Sequence, residues 1–111
     1  MSRFADMPKP PYYVVTFNSQ HRGADNGYGA TAQRMAELAA TMPGYLGMET
    51  TRDAQGFGIT LAFFGTEEHI ANWKRQSEHL AAQERGRTEW YERYELRVAK
   101  VERAYGFSKK P

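Results

Sequence analysis

The chain has 111 residues, no cysteine, and 15 Lys or Arg against 13 Asp or Glu, for a formal net charge of +2. One domain fits that length, and the missing cysteines exclude disulfides, thiolate metal sites and a cysteine nucleophile. Basic residues alternate with Glu along the chain and form no block, which argues against a nucleic-acid partner.

Residues 1–11 carry three of the five prolines and no periodicity, and read as an extended, loosely held N-terminal arm. The opening Met1-Ser-Arg-Phe-Ala-Asp does not resemble a signal peptide, and no apolar run approaches the roughly 18 residues a membrane helix needs. The expectation is therefore a cytoplasmic protein with no membrane partner. Tyr12 to Phe17 is a run of β-formers apolar at both parities, the pattern of a central strand buried on both faces. Asn18 to Gly27 reads as a loop, with Asp25 or Asn26 able to cap the following helix. That helix, about Gly27 to Met42, aligns Tyr28, Met35, Leu38, Ala39 and Met42 on one face and stops at Pro43-Gly44.

Tyr45 to Arg52 alternates as a strand, Asp53-Ala-Gln-Gly56 is a hairpin turn, and Phe57 to Phe64 is the returning strand. Phe57, Ile59, Leu61 and Phe63 occupy one face of it, while Gly58, Thr60, Ala62 and Phe64 give a small or apolar second face. Thr66 then caps a helix with Glu67 and Glu68 in its first turn, where the dipole favours negative charge. The last strand runs from about Trp90 to Tyr105, with a phase slip between Val98 and Ala99 that suggests a bulge. Unbroken, it would span about 50 Å at about 3.3 Å per residue, so its second half is expected to leave the subunit.

The order β-α-β-β-α-β is the ferredoxin-like arrangement, α+β, with two helical segments on one face of a four-stranded antiparallel sheet. The opposite face is apolar on at least two strands. A second copy packed against it, with the last strand crossing over, gives the expected homodimer, a dimeric α+β barrel. The expected boundaries are an arm at 1–11, the domain at 12–107 and a tail at 108–111.

Several segments together resemble the antibiotic biosynthesis monooxygenase family of dimeric α+β barrels. They are the first strand ending in Asn18, the Met42-Pro-Gly-Tyr-Leu-Gly47 turn and Gly56-Phe-Gly-Ile-Thr60. With them go Trp73-x5-His79, Tyr91 and the Val101-Glu-Arg-Ala-Tyr-Gly-Phe107 end. The likeness spans about residues 12–107 and rests on order and spacing rather than on one stringent motif. It implies oxidation of a small aromatic or polyketide-type compound by O₂ without flavin, metal or haem. It also leaves open a non-catalytic small-molecule-binding or accessory protein. Relatives of the same fold degrade haem with an Asn, a Trp and a His, which Asn18, Trp73 and His79 mimic, although the Trp-to-His spacing here is the shorter one of the monooxygenase group.

Cofactor-free oxygenation needs a base to ionise an acidic phenol or enol, and an apolar pocket with donors that stabilise the anion. His79 is the candidate base because imidazole titrates near working pH; a surface histidine is the plainer alternative. Trp73 offers a flat wall or, equally, a core anchor beside Ile70, and Asn18 could hydrogen-bond an oxygen. Arg93 is a candidate to hold an anionic intermediate, with Arg97 on the same face, although both could instead pair with neighbouring Glu. Tyr28, Met35, His69 and Phe63 complete the expected substrate contacts. Trp73 and His79 are six residues apart, about 240° around an unbroken helix, and would then face apart. A helix break at Gln76–Ser77 is therefore expected, giving short helices over Thr66–Gln76 and Ser77–Arg85. His69, four residues before Trp73, is the rival histidine; His21, in the expected loop, carries little weight.

Overall fold

The computed structural model describes residues 3–23 and 27–109. Strand β1 (Tyr12–His21) is followed by α1 (Tyr28–Ala39), β2 (Tyr45–Arg52), β3 (Phe57–Phe64), α2 (Glu67–Arg75), α3 (Ser77–Arg85), a π-helical turn (Gly86–Trp90) and β4 (Tyr91–Val101). The four strands form one antiparallel sheet in the order β2-β3-β1-β4, the ferredoxin-like arrangement expected from the element order.

Side-chain alternation divides the sheet cleanly. On the helical side Ala62 and Phe64 of β3 meet Ala39 of α1 and Ile70 and Trp73 of α2, with Tyr13, Val15, Met35 and Met48 packed around them. On the other side Tyr12, Val14 and Phe63 form a second cluster, with Leu46, Leu61 and Val101 against it. The tight turn between β2 and β3 is held by the Asp53 carboxylate, which accepts from the backbone N–H of Gln55 at 2.9 Å and of Phe57 at 3.0 Å. Gly56 closes that turn at φ 90°, a conformation side chains disfavour.

Three expectations are corrected. Strand β1 does not end at Phe17: Asn18, Ser19 and Gln20 stay paired with β3 on one side and β4 on the other. Two flanking ladders outweigh the loop-like composition of that segment. Strand β4 stops at Val101, not Tyr105, because its partner β1 begins at Tyr12 after Pro10-Pro11, and proline has no N–H to extend the ladder. The irregularity lies opposite Gln20/His21 rather than between Val98 and Ala99. Beyond Val101 the tail is irregular, with Tyr105 and Phe107 more than nine-tenths exposed.

The arm is also docked rather than loose. Ala5 and Met7 pack on the second cluster, and the Ala5 N–H donates to the Glu49 carboxylate at 3.0 Å. Helix α1 ends at Ala39, earlier than Met42, and the expected cap at Asp25 or Asn26 lies outside the described residues.

Candidate active site

The α2–α3 junction brings together the side chains with the most chemical potential. Thr66 caps α2, accepting from the His69 N–H at 3.1 Å, and Glu67 and Glu68 lie in the first turn. The helix stops at Arg75 because Gln76 takes an extended conformation (φ −60°, ψ 129°). The Gln76 side-chain carbonyl then accepts from the His79 N–H at 3.0 Å and so caps α3. The expected break is present, and Gln76 supplies the cap of α3.

That break turns His79 back onto Trp73. The two rings stack with centroids 4.1 Å apart and planes inclined by 13°. His79 Nδ1 lies 2.9 Å from the Trp73 carbonyl oxygen, and since a carbonyl only accepts, Nδ1 carries the proton. In the neutral ring Nε2 is then the free acceptor. Burial lowers the His79 pKa below its ordinary value, and the hydrogen bond to Trp73 opposes this only in part. The imidazole is thus held neutral at neutral pH, in one tautomer, with its acceptor nitrogen available: the state a general base requires.

A cavity of about 320 Å³ lies between α1 and α3. Thr31, Met35, Ala82 and Trp90 line it, and Arg34 and Glu78 stand at its wall. The Arg34 guanidinium holds Glu78 in a fork at 2.8 and 3.0 Å, tying α1 to α3 and keeping the Glu78 carboxyl below its ordinary pKa. Trp73 and His79 do not line this cavity, but Met35 both lines it and packs on the cluster containing Trp73.

A second group of polar and aromatic side chains gathers around Arg52 on the helical side. Arg52, at the end of β2, donates to Ser19 Oγ at 2.7 Å and to the Tyr28 hydroxyl at 3.1 Å, and its guanidinium lies 5.4 Å from the Tyr28 ring centroid. The ring of His21 meets Tyr28 edge-on at 4.6 Å and lies 6.1 Å from Tyr91. Burial first, and a hydrogen bond with Tyr28 second, raise the Tyr91 pKa far above its ordinary value, so it stays a neutral phenol.

The sequence model of the antibiotic biosynthesis monooxygenase family matches residues 11–85. Protein YqjZ of Bacillus subtilis, itself uncharacterized, is 48% identical over 103 residues, covering 93% of this chain and 90% of that protein. The chain belongs to the antibiotic biosynthesis monooxygenase family. Among solved structures, SnoaB of Streptomyces nogalater, a cofactor-independent oxygenase, superposes with a TM-score of 0.74 at 13% identity, over 86% of this chain and 97% of SnoaB. Protein SO0527 of Shewanella oneidensis gives a TM-score of 0.74 at 9% identity, over 85% and 94% of the two chains. At such identities these likenesses concern the fold.

Within this monooxygenase-family chain the sequence candidates separate into distinct places. Trp73 and His79 are together, and Trp73 is at the same time a buried core residue. His69 is engaged at the start of α2, where its Nδ1 lies 3.0 Å from Thr66 Oγ1 and its ring covers Gly44. Asn18, Phe63 and Arg93 do not join this site. Asn18 and Phe63 share the parity of Val14 and Leu61, on the face of the sheet away from the helices, and Arg93 is exposed and 3.3 Å from Glu95. The Asn-Trp-His convergence of the haem-degrading comparison is thus absent from the described chain. Sequence reasoning missed Arg52 and Ser19 and gave His21 little weight, because it placed that residue in a loop that is in fact the end of β1. The available signal was parity, since Arg52 follows Met48 and Thr50 on the helical side, opposite Gly58.

Proposed function

We propose that this protein is a cofactor-independent monooxygenase acting on a small aromatic or polyketide-type compound, with His79 as the base and Trp73 as the wall that orients it. The observation that carries this reading is the stacked, tautomer-fixed Trp73–His79 pair at the α2–α3 hinge. Membership of the family and the fold shared with SnoaB, itself an oxygenase, support it.

The chemistry suits an acidic methylene flanked by aromatic rings, as in an anthrone. His79 Nε2 takes a proton from the substrate, leaving an electron-rich carbanion or phenolate. This anion passes an electron to O₂ and the two fragments join in a C–O bond, giving a peroxide. Loss of water from the peroxide converts CH₂ to C=O, so one oxygen atom enters the product and the other leaves as H₂O. Balance requires no other oxidant. Excluding bulk water protects the anion.

The working unit we propose is a homodimer. Phe57 and Ile59 on the open sheet face, Leu96 and Val98 on β4, and Tyr105 and Phe107 in the tail are all exposed in the single chain, and a second copy would remove such apolar surface from water. An oxygen electrode run with a panel of anthrones and hydroquinones tests the assignment. Uptake of one O₂ per substrate supports it, whereas tight binding without uptake favours an accessory, non-catalytic binding protein.

A further inference from the structure

We propose that Arg52, with His21, Tyr28 and Ser19 around it, is a binding subsite for the ionised oxygen of a planar ligand, a carboxylate or phenolate. This deepens the functional reading above by naming the class of compound, and it rests on the ligand being a flat aromatic one.

The subsite is built at the expense of local packing. Gly58 lies directly beneath the Arg52 guanidinium, where a Cβ would come within 2.6 Å of Cζ, and a Cβ at Gly86 would come within 2.8 Å of the Tyr91 ring. Only glycine leaves room for these two side chains as they stand. Arg52 is half-buried, and its partners are all neutral: Ser19 Oγ, the Ser19 and Gly56 carbonyls and the Tyr28 hydroxyl. Among the described residues no carboxylate pairs with it. A guanidinium withdrawn from water without a counter-ion is a strong attractor for an anion.

A second observation points the same way. Nε2 of His21 is shielded from solvent and has no hydrogen-bond partner. An unpartnered buried nitrogen costs stability and marks a place where a partner is missing. It adjoins Tyr28, the residue whose hydroxyl Arg52 holds. A ligand oxygen that displaces the Tyr28 hydroxyl from Arg52 replaces a neutral acceptor with a charged one and offers an acceptor to His21 Nε2, which then donates. The surroundings are aromatic: Phe17, Tyr28, Trp90 and Tyr91 pack edge-on against one another with centroids 5.4 to 5.7 Å apart, which matches the chemistry of an aromatic ligand. Trp90 also lines the cavity between α1 and α3, so the subsite and the cavity share a wall.

The test compares 2-naphthoate with its neutral counterpart 2-naphthalenemethanol by calorimetric titration of the intact protein. The wild type is expected to bind the naphthoate about tenfold or more tightly than the alcohol. Arg52→Gln should abolish that preference and leave the alcohol unchanged. His21→Phe keeps the ring shape and, if Arg52→Gln does not fold, carries the test: naphthoate binding should weaken several-fold while the thermal midpoint rises, because an unpartnered buried nitrogen is removed. Absence of anion preference in the wild type, or unaltered naphthoate binding in both variants, overturns the subsite. Oxygen uptake is a separate readout: uptake without anion preference removes the subsite alone, and anion-selective binding without uptake removes the oxygenase assignment alone.

Discussion

His79 and Trp73 are joined twice, by ring stacking at 4.1 Å and by a 2.9 Å hydrogen bond from Nδ1 to the Trp73 carbonyl. Both contacts exist only because the chain leaves the helix at Gln76. A continuous α2–α3 helix would point the two side chains apart by about 240°. The candidate active site is thus a consequence of one backbone break.

The break should be sensitive to its cap. Gln76→Ala removes the acceptor for the His79 N–H, and the expected loss is about 1 kcal/mol of stability. Urea unfolding measures it. A tryptophan fluorescence change at low denaturant would accompany the loosening of the ring stack; identical curves for the two proteins would show that the cap does not hold the hinge.

Protonation of His79 should oppose folding. Its folded-state pKa lies below the ordinary value of 6.5, so the folded state binds fewer protons than the unfolded one. Stability from this residue is complete above pH 6.5 and is lost as pH falls through the lower folded-state pKa. The unfolding free energies of wild type and His79→Phe, measured from pH 8 to pH 5, should therefore differ by an amount that shifts against the wild type as pH falls. A pH-independent difference would contradict the assigned burial.

Gly44 should be intolerant of any side chain. It adopts φ +80°, and a Cβ there would come within 2.0 Å of His69 Nδ1. Gly44→Ala is expected to cost roughly 1–3 kcal/mol from backbone strain alone, with displacement of the His69 ring in addition. Thermal unfolding of Gly44→Ala beside Gly106→Ala, where no atom lies within 4 Å, separates the local effect from a general one.

The open sheet face gives a prediction about assembly. Light scattering on the purified protein should return twice the chain mass of 12.7 kDa. Removing residues 1–7 deletes Ala5 and Met7 from the cluster of Tyr12, Val14 and Phe63. The truncated chain should melt at a lower temperature and bind more of an apolar dye. A monomer at all concentrations would contradict the proposed dimer.

Local pattern was enough for most of the architecture. The alternation of Phe57 to Phe64, the Asp53–Gly56 turn and the Thr66 cap are each written within a few residues, and the hinge could be inferred from the conflict between Trp73 and His79. What stayed hidden depends on distant pairing. Asn18 to Gln20 look like a loop until β3 and β4 flank them, which also places Asn18 on the face opposite His79. Arg52 gains its meaning from Ser19 and Tyr28, residues 33 and 24 positions earlier. The arm could not be docked before the second cluster was known.

The most direct test of the account is the rate of oxygen uptake with an anthrone that the wild type oxidises, repeated for His79→Gln at matched oligomeric state. Loss of the base is expected to lower kcat by about 10²- to 10⁴-fold while the substrate still binds. An unchanged kcat in His79→Gln would contradict the assignment of His79 as the base and, with it, the role of the Trp73–His79 pair.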